Sequence, residues 1–276
     1  MTRVLTAVVL LAVLLPVTFF APLGVFGAMI AFVIVLAAWE WGRLLKLGAT
    51  GSLLYAALAA MAVIAGAVRL QLGAHGLFMA SALFWLLAVP FAFIRRPQLA
   101  TGAWRVFLLL AGLLVFVACW QALVFARLSG VWFVVSLLLV VWLADIGAYF
   151  SGRRFGRHKL APSISPGKTW EGACGGWLLT LLVALLAIAA HRYGYLPAAT
   201  IFSALDERVG IVRAIVWITL LVAFSISGDL FESLLKRQAG VKDSSNLLPG
   251  HGGVLDRVDA LLPVLPIALL FFVGRG

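Results

Sequence analysis

Four aspartates lie beside long apolar runs of the sequence: Asp145, Asp229, Asp256 and Asp259. Asp256 and Asp259 are three residues apart and would share one face of a helix. Carboxylates that accompany few histidines and no usefully spaced cysteines favour a hard cation. Mg²⁺ in particular binds through one or two carboxylates together with substrate phosphates. The sequence therefore predicts a magnesium site where these carboxylates meet.

The positions of the four aspartates separate two explanations for them. Asp256 and Asp259 would begin a predicted helix, where a negative charge is favourable by about 0.3–1 kcal/mol without any ligand. Asp145 and Asp229 fall at the C-terminal ends of predicted helices, where the same charge is unfavourable. A ligand role is the better explanation for Asp145 and Asp229, whereas helix-end solvation stays open for the other pair.

Basic side chains and glycines accompany the carboxylates in two polar segments. The cations are Lys168, Lys236, Arg237, Lys242 and Arg257. Cations beside a divalent metal neutralise phosphate charge during phosphoryl or nucleotidyl transfer. His251 lies within Pro-Gly-His-Gly-Gly at 249–253. Its glycines would let the backbone approach a ligand closely, although a plain turn explains them equally well.

The segment Ser-Pro-Gly-Lys-Thr at 165–169 invites comparison with the phosphate-binding loop of nucleotide hydrolases. That loop requires a glycine where this sequence has Pro162, and a buried strand should precede it. We therefore reject it, and keep Lys168 and Thr169 as residues that could contact a phosphate from another backbone.

The elements that must position these residues are membrane spans. Of the 276 residues, 64% are hydrophobic and 11% charged, far from the balance of a soluble domain. A helix needs about 20 apolar residues to cross a bilayer. The segments that qualify are 4–22, 25–44, 53–70, 76–94, 105–126, 130–150, 173–190, 211–230 and 255–273. The sequence thus predicts an all-α polytopic integral membrane protein with about nine transmembrane helices, unless the first segment is a cleaved signal peptide.

Basic residues are distributed unevenly between the predicted connections. With the N terminus in the cytoplasm, fifteen of the 21 lysines and arginines, Arg3 among them, fall inside or at the inner boundary. Six, including Arg69 and Arg275, fall outside. This bias follows the positive-inside rule, so it predicts a cytoplasmic N terminus and an outside C terminus. The net charge of +11 then gives no reason to expect a nucleic-acid partner.

Polar residues are concentrated in the second half of the chain. Residues 1–130 contain one acidic residue, Glu40, and are predicted to be a scaffold of transmembrane helices. Residues 131–276 are predicted to be the catalytic region, with cytoplasmic loops at 151–172 and 232–254, because loops on a rigid scaffold commonly carry function. The polar active site would then lie on the cytoplasmic side. Cys119 and Cys174 lie in or beside spans and are interpreted as packing residues.

Residues 233–259 resemble the signature of the phosphatidate cytidylyltransferases, also called CDP-diacylglycerol synthases. The pattern is Ser-x-apolar-Lys-Arg, four residues, Lys-Asp, and then Pro-x-His-Gly-Gly-apolar-x-Asp-Arg-apolar-Asp. It is matched by Ser233, Lys236, Arg237, Lys242, Asp243, Pro249, His251, Gly252, Gly253, Asp256, Arg257 and Asp259. The resemblance covers about residues 140–265.

An upstream run resembles the same family. It is matched by Asp145, Tyr149, Gly152, Arg153, Gly156, Lys159, Pro162, Ser165, Lys168, Glu171 and Gly172. Gly167 stands where the family often has lysine, so no side-chain role is implied at that position.

The resemblance implies a reaction in which CTP and phosphatidate give CDP-diacylglycerol and pyrophosphate with Mg²⁺. Together with the carboxylate placement it implies Asp145, Asp229 and Asp256 as metal ligands, and it leaves room for a second, monovalent cation. The implied nucleotide-binding residues are Ser165, Lys168, Thr169, Lys242 and Arg257. The implied catalytic residues are Lys168, Lys242, Asp243, His251, Arg257 and Asp259. The separate roles of Asp243, His251 and Asp259 stay open.

The implied partners are CTP and membrane-embedded phosphatidate, and a homodimer is known for the family. The implied location is the inner membrane of a bacterium. Two alternatives stay open: a cytidylyltransferase that acts on another lipid phosphate, and a transporter. A transporter would place its ionisable residues near mid-membrane, often with internal repeats, and neither feature is found in the sequence.

Overall fold

The computed structural model describes residues 2–68 and 74–273, and within these ranges it contains twelve α-helices and one β-hairpin. Arg69, Arg275 and the side chain of Arg3 lie outside what is described. The helices are α1 (Thr2–Phe20), α2 (Leu23–Leu44), α3 (Gly48–Val68), α4 (Ala74–Leu83), α5 (Val89–Arg95), α6 (Gly102–Ser129), α7 (Val131–Phe155), α8 (Trp170–Arg192), α9 (Ile201–Val209), α10 (Ile211–Ala239), α11 (Leu255–Val258) and α12 (Leu261–Leu269). The strands are β1 (Lys159–Ala161) and β2 (Ser165–Thr169).

Seven helical segments within the described residues are long and apolar enough to cross a membrane. A π-helical turn, Phe84–Ala88, joins α4 to α5 in one of them, Ala74–Arg95. The all-α membrane fold is confirmed, whereas the count of nine is not. Predicted span 4–22 begins among residues whose side chains lie outside the described part of the structure, and Val8–Phe20 is the apolar stretch described in α1. Predicted span 255–273 is divided into two short helices, α11 and α12.

Two helices continue past the ends predicted for them. Helix α7 continues to Phe155 and α10 to Ala239, so Asp145 and Asp229 each lie about three turns before a helix end. The argument that both carboxylates face an unfavourable helix C terminus therefore fails. At 1.5 Å per residue a helix as long as α10 exceeds a hydrocarbon core of about 30 Å. Its polar last turns can thus extend beyond the membrane.

Helices α7 and α8 pack closely because glycines replace side chains at their contact. A Cβ atom on Gly147 would lie 2.7 Å from the carbonyl oxygen of Gly175 and 2.8 Å from Cα of Gly176. A Cβ atom on Gly176 would overlap the backbone of Ala144. Small residues at a helix–helix contact allow such close backbone approach in a membrane. This contact fixes the two helices that flank the first polar segment.

That segment contains an ordered hairpin: of the predicted loop 151–172, residues 151–155 belong to α7 and 170–172 to α8, and the two strands lie between them. Strands β1 and β2 are antiparallel, with Lys159 opposite Thr169 and Ala161 opposite Ser165. The carboxylate of Glu171 accepts from the backbone N–H of His158 and lies 2.6 Å from His158 Nδ1. The hairpin is therefore tied to the first turn of α8. The second predicted loop is also shorter than 232–254, because α10 continues to Ala239.

The two halves of the chain share one hydrophobic core. Buried Cys119 of α6 lies 3.3 Å from the carbonyl oxygen of Leu262. The side chain of Gln238 bonds to the backbone of residues 97 and 99, at 2.9 and 2.8 Å. Both cysteines are free thiols: Cys119 is buried, as a packing residue should be, whereas Cys174 is exposed. The assignment of 1–130 as scaffold and 131–276 as catalytic region stays a prediction.

Candidate active site

A cavity of about 310 Å³ opens between α7, α8, β2 and α10. We call its lining the cavity wall. Its polar side chains include Asp145 and Tyr149 of α7, Lys168 and Thr169 of β2, and Asp229 of α10. Alanine, glycine, valine, leucine and isoleucine supply the rest of the surface. The cavity therefore combines a small polar group with an apolar lining.

Lys168 and Asp229 form an ion pair across this cavity. Lys168 Nζ lies 2.7 Å from Asp229 Oδ2, with the two side chains 25% and 33% exposed. Ser233 donates to Asp229 Oδ1 at 3.3 Å, one turn further along α10. The charges of Asp229 and Lys168 also act on the carboxylate of Asp145. Three of the predicted site residues are thus brought together.

Asp256 lies outside the cavity wall, at the start of α11, and its carboxylate is nearly saturated with donors. Lys236 Nζ lies 2.5 Å from Oδ1. The other oxygen, Oδ2, accepts from the backbone N–H groups of Ser244 at 2.9 Å and Gly253 at 2.7 Å. Burial opposes ionisation, but the bonds from Lys236 and Gly253 outweigh it and hold the pKa of this carboxyl at about 2.

Lys236 joins Asp256 to a second carboxylate that the sequence had left without a role. Its Nζ lies 2.6 Å from Glu232 Oε2, and the Glu232 side chain is only 2% exposed. Glu232 and Lys236 are four residues apart on α10 and therefore share a helical face. That spacing could have identified the pair from the sequence.

Asp259 is buried between α11 and α12. Its Oδ1 accepts from the backbone N–H of Ala260 at 2.8 Å. Its carbonyl oxygen packs so closely on Gly228 of α10 that a side chain at 228 would overlap it. Burial and the charge of Asp229 raise the pKa of Asp259 well above its ordinary value. The charge of Asp229, which lines the cavity, therefore acts on Asp259.

The remaining predicted residues are less closely assembled. Arg257 donates to the carbonyl oxygen of His251, with its terminal nitrogen at 2.8 Å. Lys242 and Asp243 are exposed, and in the described part of the chain their side chains make no hydrogen bond or ion pair. Ser165 begins β2 and does not line the cavity. Ser165, Lys242, Asp243 and Arg257 thus lie outside the cavity wall.

Thr169 has a structural contact of its own. Its Oγ1 accepts from the backbone N–H of Gly172 at 3.1 Å and thereby caps the N terminus of α8. The hydroxyl proton remains available for a ligand in the cavity.

Five carboxylates and three cationic side chains make up the charged region. The carboxylates are Asp145, Asp229, Glu232, Asp256 and Asp259, and the cations are Lys168, Lys236 and Arg257. This excess of oxygen donors over cations fits a hard divalent ion. Among the described residues, however, no three His, Cys, Asp or Glu side chains form a metal-holding group. The predicted trio Asp145, Asp229 and Asp256 is not assembled as a ligand set.

Taken together, the spans and the charged region define a polytopic membrane protein with a polar site built by α7, α8, α10 and the segment before α12. A family model described as the cytidylyltransferase family matches residues 1–273. The chain belongs to the cytidylyltransferase family. The match also extends the similarity beyond 140–265 into the first 130 residues.

Individual relatives agree with the family match. The phosphatidate cytidylyltransferase of Pseudomonas aeruginosa is 40% identical over 283 residues, covering 99% of this chain and 98% of that protein. The protein of the same name from Haemophilus influenzae is 44% identical over 143 residues, which is 52% of this chain and 46% of that protein. That of Brucella suis is 46% identical over 145 residues, which is 51% of this chain and 46% of that protein.

Proposed function

We propose that the protein is a phosphatidate cytidylyltransferase that converts CTP and phosphatidate into CDP-diacylglycerol and pyrophosphate. The full-length similarity to the Pseudomonas aeruginosa enzyme supports the substrates. The observation that carries the proposal within the structure is the Lys168–Asp229 pair in a cavity with a mainly apolar lining. A cation beside apolar surface suits a phosphate that is attached to a lipid, and the carboxylate would serve as a ligand of the divalent ion.

In the proposed reaction a phosphate oxygen of phosphatidate forms a bond to the α-phosphorus of CTP. The bond from that phosphorus to the oxygen bridging to the β-phosphorus breaks, and pyrophosphate leaves with the electron pair. The attacking phosphate is already an anion, so the site needs no strong general base. Its tasks are orientation and charge neutralisation.

The chain's own residues can supply both tasks. Lys168 lies in the cavity wall and would bind a phosphate, and Arg257 and Lys242 would bind others. Asp145 and Asp229, which line the cavity, would hold Mg²⁺, and Asp256 would join them as a third ligand only if the bound ion drew the three carboxylates together. When bound, the ion would supply positive charge to the phosphates. A monovalent ion could share the remaining carboxylate oxygens. Asp243, His251 and Asp259 would orient these groups.

The reaction also defines where the site should lie in the membrane. Phosphatidate keeps its acyl chains in lipid and its phosphate at headgroup depth, whereas CTP is dissolved in the cytoplasm. We therefore propose an active site at the cytoplasmic face of a bacterial inner membrane, with the N terminus inside and the C terminus outside. A homodimer is part of the proposal on family grounds alone.

The test is transfer of radiolabel from CTP to lipid by the purified protein, with phosphatidate as acceptor and with Mg²⁺ either present or chelated. Formation of labelled CDP-lipid together with pyrophosphate, only when Mg²⁺ is present, is the expected result. Parallel reactions would contain other lipid phosphates, including an isoprenoid ether lipid phosphate. A preference for one of those would replace phosphatidate in the proposal. No reaction with any lipid phosphate would remove the transferase function.

A further inference from the structure

Glu40 is a buried acid that the proposed reaction does not use. It lies in α2 and is completely inaccessible to solvent. It is also the only acidic residue in the first 140 positions of the sequence. A buried carboxylate without compensation is costly in free energy, so its contacts must offset that cost.

Four donors from the C-terminal part of the chain surround Glu40. Oε1 accepts from Ser245 Oγ at 2.5 Å and from the backbone N–H of Val254 at 3.0 Å. Oε2 accepts from the backbone N–H of Leu255 at 2.5 Å and lies 3.1 Å from Ser244 Oγ. A carboxylate has acceptor sites for all four donors, whereas a neutral amide has only one acceptor oxygen. The contacts therefore require a carboxylate rather than merely a polar side chain.

These contacts hold the two ends of one segment. We call residues 240–254 the C-terminal loop; it connects α10 to α11. Glu40 bonds near the start of the loop at Ser244 and Ser245 and at its end at Val254. The loop also packs without space on the carboxylate, because a Cβ atom on Gly253 would overlap both Glu40 Oε1 and Ser244 Oγ. Glu40 thus joins the predicted scaffold to this loop.

The same segment positions Asp256. Ser244 Oγ lies 2.9 Å from Asp256 Oδ2, so its single proton lies between that oxygen and Glu40. The backbone N–H groups of Ser244 and Gly253 also bond to Oδ2. Leu255, whose N–H donates to Glu40, directly precedes Asp256. Ser244 therefore bonds to both carboxylates, and Asp256 directly follows a residue whose N–H donates to Glu40.

We propose that Glu40 is a positioning residue: it clamps the C-terminal loop so that the carboxylate of Asp256 is fixed in the active site. The inference rests on the proposed function, because it takes Asp256 as a participant in the reaction. It also gives the first half of the chain a direct part in building the site.

The first measurement is hydrogen–deuterium exchange of the whole protein in detergent, because it does not depend on activity. Glu40→Gln should exchange faster than the unchanged protein in peptides that cover 244–255, with helices α7 and α8 unaffected. Asp206→Asn is the matched control, since Asp206 is another buried acid and its bonds to Arg192 lie at the opposite end of α8. Unchanged exchange at 244–255 in Glu40→Gln would overturn the proposal.

The second measurement is activity as a function of Mg²⁺ concentration. Loss of a group that orients a metal ligand commonly costs about 10–100-fold in metal affinity or activity. Glu40→Gln should therefore raise the Mg²⁺ concentration for half-maximal activity, or lower kcat, by about tenfold or more, whereas Asp206→Asn should do neither in its folded fraction. Faster loop exchange with an unchanged Mg²⁺ requirement and kcat would reduce Glu40 to a structural role.

Ser244→Ala keeps the inference testable if Glu40→Gln does not fold. It removes the hydroxyl between the two carboxylates, so it should shift the Mg²⁺ requirement in the same direction. Where both variants fold, the double variant should be less impaired than the product of the single effects, because the residues act through one connection. Independent effects would contradict that connection. If the unchanged protein does not react with phosphatidate, the proposed function fails, while exchange still decides whether Glu40 holds the loop.

Discussion

Two aspartates are each paired with a lysine but are held in different ways. Asp229 in the cavity wall pairs with Lys168, and Asp256, which follows the C-terminal loop, pairs with Lys236. Asp229 has one lysine and one serine as partners, and a third of its side chain is exposed. Asp256 is 5% exposed and is bonded to Lys236 and to two backbone N–H groups. The first carboxylate can change partners easily, whereas the second is fixed before any ligand arrives.

The regions that support the two aspartates are also stabilised in different ways. Close backbone contact through glycines holds the cavity wall, where α7 meets α8. Hydrogen bonds to buried charge hold the C-terminal loop, through Glu40 and Asp256. A helix contact resists deformation but leaves side chains free, whereas a hydrogen-bonded loop depends on each donor. Packing changes should therefore damage the wall, and charge changes should damage the loop.

The largest effect is expected from Asp256→Asn. Its amide cannot replace the full charge that Lys236 and two N–H groups bind, and it is a weaker metal ligand. We expect kcat for CDP-lipid formation to fall by about 100-fold or more, measured by label transfer from CTP. Glu207→Gln removes a mostly exposed carboxylate near His191 and is the control for charge loss. Activity within about threefold of the unchanged protein would exclude Asp256 from the reaction.

The next largest effect is expected from Gly147→Ala, which tests the packed side of the comparison. The added methyl group would meet backbone atoms of α8 that cannot rotate away. Overpacking of this kind costs about 2 kcal/mol, so the thermal unfolding midpoint in detergent should fall by roughly 4–8 °C. Gly24→Ala is the matched control, because nothing lies within 4 Å of its added Cβ atom. Equal midpoints for the two variants would contradict the glycine contact.

The sequence predicted the membrane class, the family resemblance and most helix positions, because apolar runs are local and long. It misplaced the ends of α7 and α10, since hydropathy stops at the first polar residues whereas the helical hydrogen bonds continue past them. It also assumed loops where a hairpin forms. The backbone bonds of β1 and β2 satisfy groups that a loop would leave to water.

The role of Glu40 could not be read from local pattern, because its partner Ser244 lies 204 residues away. One signal was nevertheless present. An acidic residue within an apolar segment is a candidate functional residue by default, and Glu40 lies within the predicted span 25–44. The proximity of Asp259 to Asp229 likewise depends on the contact of α10 with the segment before α12, which no spacing in the sequence encodes.

A smaller effect is expected from Lys168→Met, which removes the lysine paired with Asp229, the more exposed of the two aspartates. The variant removes the ion pair with Asp229 and one of the cations proposed to bind phosphate. We expect the KM for CTP to rise by about tenfold, with a smaller change in kcat, since one charged contact contributes roughly 1.4 kcal/mol. Arg157→Met removes an exposed cation from the nearby polar segment and should change neither constant. A fall in kcat at constant KM would instead place Lys168 at the reacting phosphorus.

The smallest effect is expected from Thr169→Ala. The Thr169 side chain both lines the cavity and caps the N terminus of α8. Loss of the bond from the Gly172 N–H should cost about 1 kcal/mol of stability. Thr169→Ser keeps the hydroxyl and should behave like the unchanged protein in both stability and KM. Thr180→Ala is the control within α8, since its hydroxyl bonds to the helix backbone without capping it. If Thr169→Ala also raises the KM for CTP beyond about threefold, the hydroxyl contacts the nucleotide as well. If only the unfolding midpoint moves, Thr169 serves the cavity wall by fixing α8, and the predicted nucleotide contact at this residue is wrong.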